Sequence, residues 1–339
     1  MNKLSIKKGF TFACGILVSA PLMASYGLAN QESDEMAPPS NKIEFIKYGN
    51  LDSWITRNVK ESGIIGGKTK ALYEIAPTAT WNETKAYTNQ GGSPWATSNV
   101  LAKVCGITKT NTSVYKEARP GNGYCARLET HIEKCAVFGI VDIKVLAAGS
   151  IYLGAMLEPV TSTSKPMSKI NAGIPFNRKP KAVCFDYKVK LSGIENRIKQ
   201  TGFSHVSQVK GIDMADCVLC LQKRWEDAKG NIHASRIATM VTFFNRNTNG
   251  WVNNAQFPIH YGNITGTSYF HSFMALQNGE EAKYAMNSKG QMVPIQETAW
   301  GNANDTPTHL LLQFSSSHGG AYIGSPGNTL WVDNIRLVY

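Results

Sequence analysis

The sequence predicts an all-β protein of the sandwich class, and two observations support that prediction. From Cys184 onward apolar and polar residues alternate, with Phe185, Tyr187, Val189 and Leu191 on one face. This is the period of a strand that buries one face. Composition agrees, because 30 glycines, 10% aromatic residues and only 17% charged residues describe a globular chain with many turns and a large apolar interior.

The opposite face of the same strand carries Asp186, Lys188 and Lys190, and we expect that face to meet water. The loop before the strand is rich in proline and glycine, which excludes a helix there. Gly173 suits a tight bend held close to a ligand or another backbone.

That loop ends in a cationic lip of Arg178, Lys179 and Lys181. Such a lip could bind an anionic or polyhydroxyl ligand, and Arg178 is a candidate ligand-binding residue. The alternative is a solvated turn, since charged residues on loops commonly serve solubility.

The first 29 residues have the layout of a secretory signal peptide. Three lysines precede an apolar run from Phe10 to Met23, and small residues up to Ala29 offer a cleavage site. The run is shorter than the ~20 residues that a membrane span needs. We therefore expect an exported protein without a membrane span, in the periplasm or at the outer cell surface. Residues 30–41 are predicted to be a flexible tail, and 42–339 the folded domain.

Charge narrows the range of partners. The net charge is +11, and +8 without the signal peptide, because that segment carries three lysines and no acidic residue. A basic exported chain is suited to an anionic polysaccharide or a membrane surface, and nucleic acid is not expected. The basic residues form no run of five or more, so charge alone indicates no specific partner.

Six cysteines follow the signal peptide, and their even number in an exported chain permits disulfides. Cys217 and Cys220 have the spacing of a metal or redox motif. They lie in an apolar, strand-like run, where residues three apart face opposite sides of a sheet, so one ion could not easily bind both sulfurs. Buried free thiols are the interpretation we favour.

Two loops combine aromatic rings with amides. One has Trp81 and Trp95 beside a Gly-Gly pair and three asparagines, and the other, residues 299–305, has Trp300 and Asn302. Sugar rings present apolar C–H faces ringed by hydroxyls, so a sugar site needs a flat aromatic ring and hydrogen-bonding groups. These four residues are candidate glycan contacts. The alternative is that the tryptophans plug the ends of a sandwich core.

The remaining segments continue the strand pattern. Residues 236–244 are apolar on both faces, as in a central sandwich strand. Further predicted strands cover 42–57 with a turn at Gly49-Asn50, a hairpin at 63–70, a strand at 124–134, and strands at 308–317 and 329–339.

In the last strand, strict alternation would put Trp331, Asp333, Ile335, Leu337 and Tyr339 on one face. An aspartate on an apolar face needs a partner, because an isolated buried carboxylate is too costly. One possibility is a structural Ca²⁺ ion with Asp333 as a ligand and backbone carbonyls completing the shell. Backbone amides or an arginine are the other possibility.

Four motifs in order resemble a known family. They are PWATSN (94–99), AGSIYLG (148–154), GIPFNRKP (173–180) with FDYK (185–188), and the ending GSPGNTLWVDNIRLVY (324–339). Together they look like the putative carbohydrate metabolism domain found in exported proteins of gut Bacteroidetes. The resemblance spans about residues 42–339. It implies a jelly-roll β-sandwich similar to carbohydrate-binding modules, in which the strand bearing Asp333 lies beside a common ion site.

The function predicted from these observations is non-catalytic glycan binding by an exported protein that assists glycan utilisation. Glycans and other surface glycan-utilisation proteins are the expected partners. A glycoside hydrolase or lyase using Asp186, Glu129 or Glu133 is an alternative that requires two carboxylates in one cleft. A structural or adhesin-like surface protein is another alternative, which a flat aromatic surface without a groove would favour. The sequence contains no HExxH, Ser/His/Asp or similar catalytic signature.

Overall fold

The computed structural model describes residues 42–89, 92–137, 141–202, 205–279 and 282–339. The predicted signal peptide and tail, residues 1–41, lie outside the described residues. The first strands are β1 (Ile43–Phe45), β2 (Trp54–Lys60), β3 (Thr69–Ile75), β4 (Ala79–Trp81), β5 (Trp95–Thr97), β6 (Val100–Val104), β7 (Ile107–Asn111), β8 (Val114–Ala118) and β9 (Tyr124–Glu129). They continue with β10 (His131–Val137), β11 (Val141–Ala147), β12 (Ser150–Met156), β13 (Ile170–Ala172), β14 (Ile174–Pro175), β15 (Ala182–Lys190), β16 (Arg197–Lys199), β17 (Thr201–Gly202) and β18 (Ser207–Val209).

The last strands are β19 (Ala215–Glu226), β20 (Ile232–Phe244), β21 (Val252–Pro258), β22 (His260–Tyr261), β23 (Tyr284–Met286), β24 (Met292–Trp300), β25 (His309–Ser315), β26 (Ile323–Gly324) and β27 (Thr329–Val338). Short 3-10 helices occupy Gly63–Ile65, Pro166–Lys169 and Ser272–Met274. In the described ranges, no helix is both long and apolar enough to cross a bilayer.

Two large sheets form the body. The six-stranded sheet has the order β21-β15-β27-β9-β8, with β1 on β27. The ten-stranded sheet has the order β14-β25-β19-β20-β24-β23-β13-β12-β5, with β22 on β20. Smaller sheets join β10, β11 and β17; β16, β18 and β26; β2, β3 and β4; and β6 with β7.

The main apolar core lies between the two large sheets. Phe185 and Val332 come from the six-stranded sheet, and Leu219 and Phe314 come from the ten-stranded sheet; all four are buried in one cluster. The Phe185 ring stacks on Phe257 and meets Phe314 edge-on, with ring centres 4.8 Å apart in both pairs. These are favourable aromatic geometries. The predicted all-β sandwich is confirmed, and the architecture is consistent with the jelly-roll class.

Part of the ten-stranded sheet closes into a ring. β25 pairs with β19, β19 with β20, β20 with β24, β24 with β23, and β23 with β13. The ring closes because β13 pairs with β12, and β12 pairs in turn with β25. The short β14 also pairs with β25. The interior of this seven-strand ring is a second enclosed space, separate from the main core.

The prediction that the outer face of β15 meets water is wrong at one position. Phe185, Tyr187, Val189 and Leu191 pack on the main core as predicted. On the other face, however, Asp186 is only 5% exposed. The neighbouring strands and Arg119, just after β8, cover it, as described below.

The strict alternation predicted for β27 is also wrong. The pairing with β15 shifts by one residue between Cys184 and Asp186, and Asn334 takes a left-handed backbone with φ of 53°. Asparagine tolerates this conformation, which is typical of a β-bulge. The bulge leaves Asp333 outside the sandwich and puts Ile335 in the core, so these two residues do not share a face.

Two further predictions have clear outcomes. The strand predicted over 124–134 is two strands, β9 and β10, in different sheets, with buried Thr130 between them.

Cys217 packs in the main core, whereas Cys220 borders a cavity on the other face of β19, which confirms the predicted opposite orientations. The six cysteines of the described ranges are free thiols.

Candidate functional site

The outer face of the six-stranded sheet carries a buried ionic cluster. Asp186 and Asp333 lie opposite each other on β15 and β27. Arg119, just after β8, brings one guanidinium nitrogen, Nη1, to 2.8 Å from Asp186 Oδ2 and 2.6 Å from Asp333 Oδ2. Its other terminal nitrogen, Nη2, donates to Asn253 Oδ1 at 2.6 Å. All three charged groups are nearly buried. Arg119 balances only one of the two carboxylates, and the Arg336 guanidinium, 3.6 Å from Asp186 Oδ1, supplies further positive charge.

The two carboxylates have different electrostatic environments. Burial alone would raise the pKa of Asp186, but hydrogen bonds from the Asn254 backbone, the Asn334 amide and Arg119 outweigh it and hold that pKa below its usual value. Burial raises the pKa of Asp333 to about 6, because Arg119 and the Asn334 backbone offset the cost of desolvation only in part. Opposite shifts of this kind occur in catalytic pairs, but here an arginine occupies the space between the two groups.

Two tryptophans and a lysine border this cluster toward solvent. The Arg119 guanidinium lies 3.9 Å from the centre of the Trp251 ring. The Lys188 ammonium lies 3.9 Å from the Trp331 ring and 5.7 Å from the Trp251 ring. Trp331 Nε1 donates to Glu117 Oε1 at 2.8 Å, which fixes the orientation of the indole. Both indoles are partly exposed.

An open hollow of about 340 Å³ lies beside Trp331. Its lining residues are Lys188, Val189, Lys190, Asn247, Thr248 and Trp331. Asn247 Oδ1 accepts a hydrogen bond from the Leu191 backbone at 2.6 Å, and Thr248 Oγ1 accepts one from the Val189 backbone at 3.0 Å. The amide NH₂ and the hydroxyl proton stay available as donors. We call these six residues together with Trp251 the Trp331 surface. It combines an aromatic ring, cations and neutral donors around a concave space.

The structure does not gather the predicted glycan contacts into one site. Trp95 is 1% exposed in the main core, and its Nε1 donates to the Lys47 carbonyl, so the prediction that it contacts a ligand is wrong. Trp81 packs beside Tyr87, with ring centres 5.9 Å apart, in a small separate apolar cluster. Both tryptophans therefore contribute to packing, which was the alternative interpretation.

Arg178 and Asn302 lie at another edge of the molecule. Arg178 pairs with Glu44 at 2.5 Å, and its guanidinium lies 3.7 Å from the Tyr339 ring. The adjacent Lys179 donates to the backbone carbonyl of Ala303, which places the cationic lip next to the loop that contains Asn302. Trp300 lies against Arg236, 5.3 Å from its guanidinium, and is partly exposed. Ligand contact by these residues stays a prediction.

The other predicted roles concern carboxylates. Asp333 meets Arg119, which was one of the two predicted partners, and the described ranges contain no group of three or more His, Cys, Asp or Glu residues that could hold a metal ion. Calcium binding at Asp333 stays a prediction. Glu129 pairs with Arg127, and Glu133 pairs with Lys109 at 2.7 Å in another sheet. These glutamates do not converge on Asp186.

Sequence reasoning missed Trp251 and the association of Lys188 with Trp331. A signal for the latter was present, since Lys188 lies on the outward face of its strand and Trp331 lies in the final strand. What was missing was the pairing of β15 with β27, which puts Lys188 directly opposite Trp331. Residues so placed on neighbouring strands have side chains in contact.

Comparison with known proteins identifies a family and a structural likeness. A family model described as "Putative carbohydrate metabolism domain" matches residues 70–338. No curated protein matches the chain. Among solved structures, the chain is similar to a protein from Bacteroides thetaiotaomicron described as a putative glycoside hydrolase, at 15% identity and a TM-score of 0.43, over 84% of this chain and 70% of that one. Because the family model covers most of the sequence, the protein belongs to this carbohydrate metabolism domain family.

Proposed function

We propose that this protein binds glycans without cleaving them, and that the Trp331 surface is the binding site. The observation that supports the proposal most directly is the arrangement around the hollow, where an oriented indole, two lysines and two neutral donors surround one concave space. Family membership agrees with a role in carbohydrate metabolism. The exported location predicted from residues 1–29 would give the protein access to extracellular glycans, alone or with other glycan-utilisation proteins.

The preferred ligand is a glycan that carries carboxylate or sulfate groups. Lys188 and Lys190 both line the hollow, and in the described ranges neither has a carboxylate within ion-pair distance. Their charge is therefore free to meet an anionic group, while Asn247 and Thr248 can donate to ring hydroxyls. The Trp331 ring supplies the flat apolar contact that a sugar face requires.

We propose non-catalytic binding, not hydrolysis, because the carboxylates considered for catalysis already form ion pairs with arginine or lysine. Asp186 and Asp333 both contact Arg119, and Asp333 is fully buried. A glycosidase needs one carboxyl group free to protonate the leaving oxygen and a second free to act as a nucleophile or base. A guanidinium held between the pair blocks both roles.

The test is an array of neutral and acidic glycans probed with the purified protein. We expect retention of acidic glycans, and about a tenfold loss of affinity in Trp331→Ala, equivalent to roughly 1.4 kcal/mol of stacking and cation–π contact. Trp225→Ala is the matched control, since Trp225 is 47% exposed on the β19–β20 hairpin. Circular dichroism of each variant checks that the fold is kept. Absence of binding to every glycan, or equal losses in both variants, would overturn the proposal.

A further inference from the structure

A second site lies inside the seven-strand ring, away from the Trp331 surface. It is a cavity of about 40 Å³. Its polar lining consists of Tyr152, Gln222, Gln277, Lys283, Glu297 and Gln313, with Cys220 and apolar residues completing the wall. One water molecule needs roughly 10–15 Å³ of such space, so the cavity admits about three water-sized groups.

The carboxylate in this wall is fully engaged with other partners. Glu297 Oε1 accepts from Gln222 Nε2 at 2.6 Å and from Arg236 Nε at 2.9 Å. Glu297 Oε2 accepts from Arg236 Nη2 and from the Gln277 backbone. The buried Glu297–Arg236 pair is therefore electrically neutral, and Glu297 forms no ion pair with Lys283 or Arg224 among the described residues.

Two cations beside the cavity lack a carboxylate partner in the described ranges. Lys283 lines the cavity, and its ammonium has no hydrogen bond or ion pair there. Arg224 makes one side-chain hydrogen bond, from Nε to Gln222 at 2.7 Å, while its buried Nη2 has no acceptor. Burial lowers the pKa of both groups, as expected of cations that are desolvated without a counter-charge.

Asp216 does not neutralise these cations. It lies on the same face of β19 as Cys220 and Gln222, is 8% exposed, and its Oδ1 has no hydrogen-bond partner. Burial raises its pKa to about 8, and the charge of Lys283 offsets that rise only in part. Asp216 forms no ion pair with Lys283 or Arg224 in the described ranges, so no carboxylate contacts either cation there.

Two further features fit a bound anion. The Tyr152 hydroxyl is buried beside the cavity without a partner and can donate a hydrogen bond, and burial keeps it protonated by raising its pKa. Gly173 also lines the cavity, and a Cβ atom there would lie 2.9 Å from Arg224 Nη2. Because Gly173, with φ of 87°, has no side chain, the Arg224 guanidinium can lie against it near the cavity.

We propose that this cavity binds a small carboxylate anion of the size of formate or acetate, held by Lys283 and Tyr152 in the cavity wall, with the charge of nearby Arg224 adding to the attraction. The anion supplies the missing counter-charge and accepts the hydrogen bonds that these buried groups lack. The cavity volume excludes larger anions. This site is independent of the proposed glycan surface, because it lies on the opposite side of the ten-stranded sheet from the main core.

The test is thermal unfolding of the purified protein in a buffer whose own anion is bulky. Sodium formate and sodium acetate are titrated, with sodium benzoate and sodium chloride as references at equal ionic strength. We expect Tm to rise by about 2 °C once the carboxylate exceeds its Kd tenfold, and to keep rising with the logarithm of its concentration. Calorimetric titration is expected to give a stoichiometry of one.

Lys283→Met should abolish the response, and Arg224→Gln should weaken it. Lys229→Met is the matched control, since Lys229 is exposed on the β19–β20 turn. Lys283→Met removes a charge that has no partner, so we expect the variant to fold. If it does not, the response of Arg224→Gln tests the proposal. The proposal is overturned if formate and acetate leave Tm unchanged, if benzoate or chloride raises Tm equally, or if Lys283→Met responds as the unsubstituted protein does.

Discussion

Asp186 and Asp333 face each other across two neighbouring strands, and one nitrogen of Arg119 contacts both carboxylates, at 2.8 and 2.6 Å. Removing one partner of a buried ionic group leaves uncompensated charge, which typically costs about 3–5 kcal/mol. Arg119→Met should therefore lower the free energy of unfolding by about that amount, measured by urea denaturation at pH 7.

The control for this prediction is Arg178→Met. Arg178 also contacts a carboxylate, but its side chain is 44% exposed, and exposed ion pairs contribute about 0–1 kcal/mol. The triple variant Arg119→Met, Asp186→Asn, Asp333→Asn should recover part of the lost free energy of unfolding, because it also removes the two carboxylate charges that Arg119→Met leaves without their partner. Equal losses in the two single variants would contradict the account of the cluster.

Asp216 gives a prediction on pH. Its pKa is raised by burial from 3.8 to about 8, so between these values the folded state holds a proton that the unfolded state has released. Stability therefore falls as the pH rises through this window. Asp216→Asn removes the penalty, and its stabilising effect should be at least about 1.4 kcal/mol larger at pH 8.5 than at pH 4, the equivalent of one pKa unit.

Asp142→Asn, at an exposed position on β11, is the control for the pH experiment. Its effect on the free energy of unfolding should stay small at both pH values. A pH-independent effect of Asp216→Asn would show that Asp216 is ionised in the folded state, contrary to this account.

The sequence was sufficient to identify the core face of β15 but not the residues that cover its other face. Alternation from Cys184 to Leu191 identified the core face of β15 correctly, because one-sided burial leaves a period of two in the sequence. It could not show that Asp186 would be covered, since that depends on Arg119, 67 positions earlier in the chain. Pairing between distant segments leaves no mark in a local pattern.

The same limit explains the errors in β27 and at Trp95. The bulge at Asn334 shifts the faces of the strand, and one asparagine within a regular pattern is a weak signal for it. Trp95 lies among amides and glycines, which suggests a loop, yet the short β5 pairs with β12 and carries the ring into the core. Composition around a tryptophan does not reveal which side of a sheet it occupies.

The cysteines give a prediction on reactivity. Cys217 is fully buried, and burial raises its thiol pKa well above the usual value, whereas Cys105 is exposed. Reaction requires an accessible thiolate. Within residues 42–339, Cys105 should therefore react first with an aromatic disulfide reagent, and Cys217 and Cys220 should react at least about tenfold more slowly.

Peptide mapping by mass spectrometry identifies the modified thiol in this experiment. Cys105→Ser removes the fast phase, and addition of denaturant should make the remaining thiols react together. Rapid joint modification of Cys217 and Cys220 in the native protein would contradict their burial on opposite faces of β19.

The two lysines of the Trp331 surface lead to a prediction on salt and ligand charge. Lys188 and Lys190 line the hollow without a carboxylate partner in the described ranges, so their attraction to an acidic glycan acts through water and is screened by salt over about 10 Å at 0.1 M. Raising the salt concentration from 0.05 to 0.5 M should weaken binding of an acidic glycan severalfold and leave a neutral glycan of the same backbone nearly unaffected.

The double variant Lys188→Gln, Lys190→Gln should show the weaker affinity already at low salt and lose most of the salt dependence. Lys229→Gln with Lys289→Gln removes the same charge from the distant β19–β20 and β23–β24 turns, so an equal effect there would mean that net charge, and not this surface, selects the ligand.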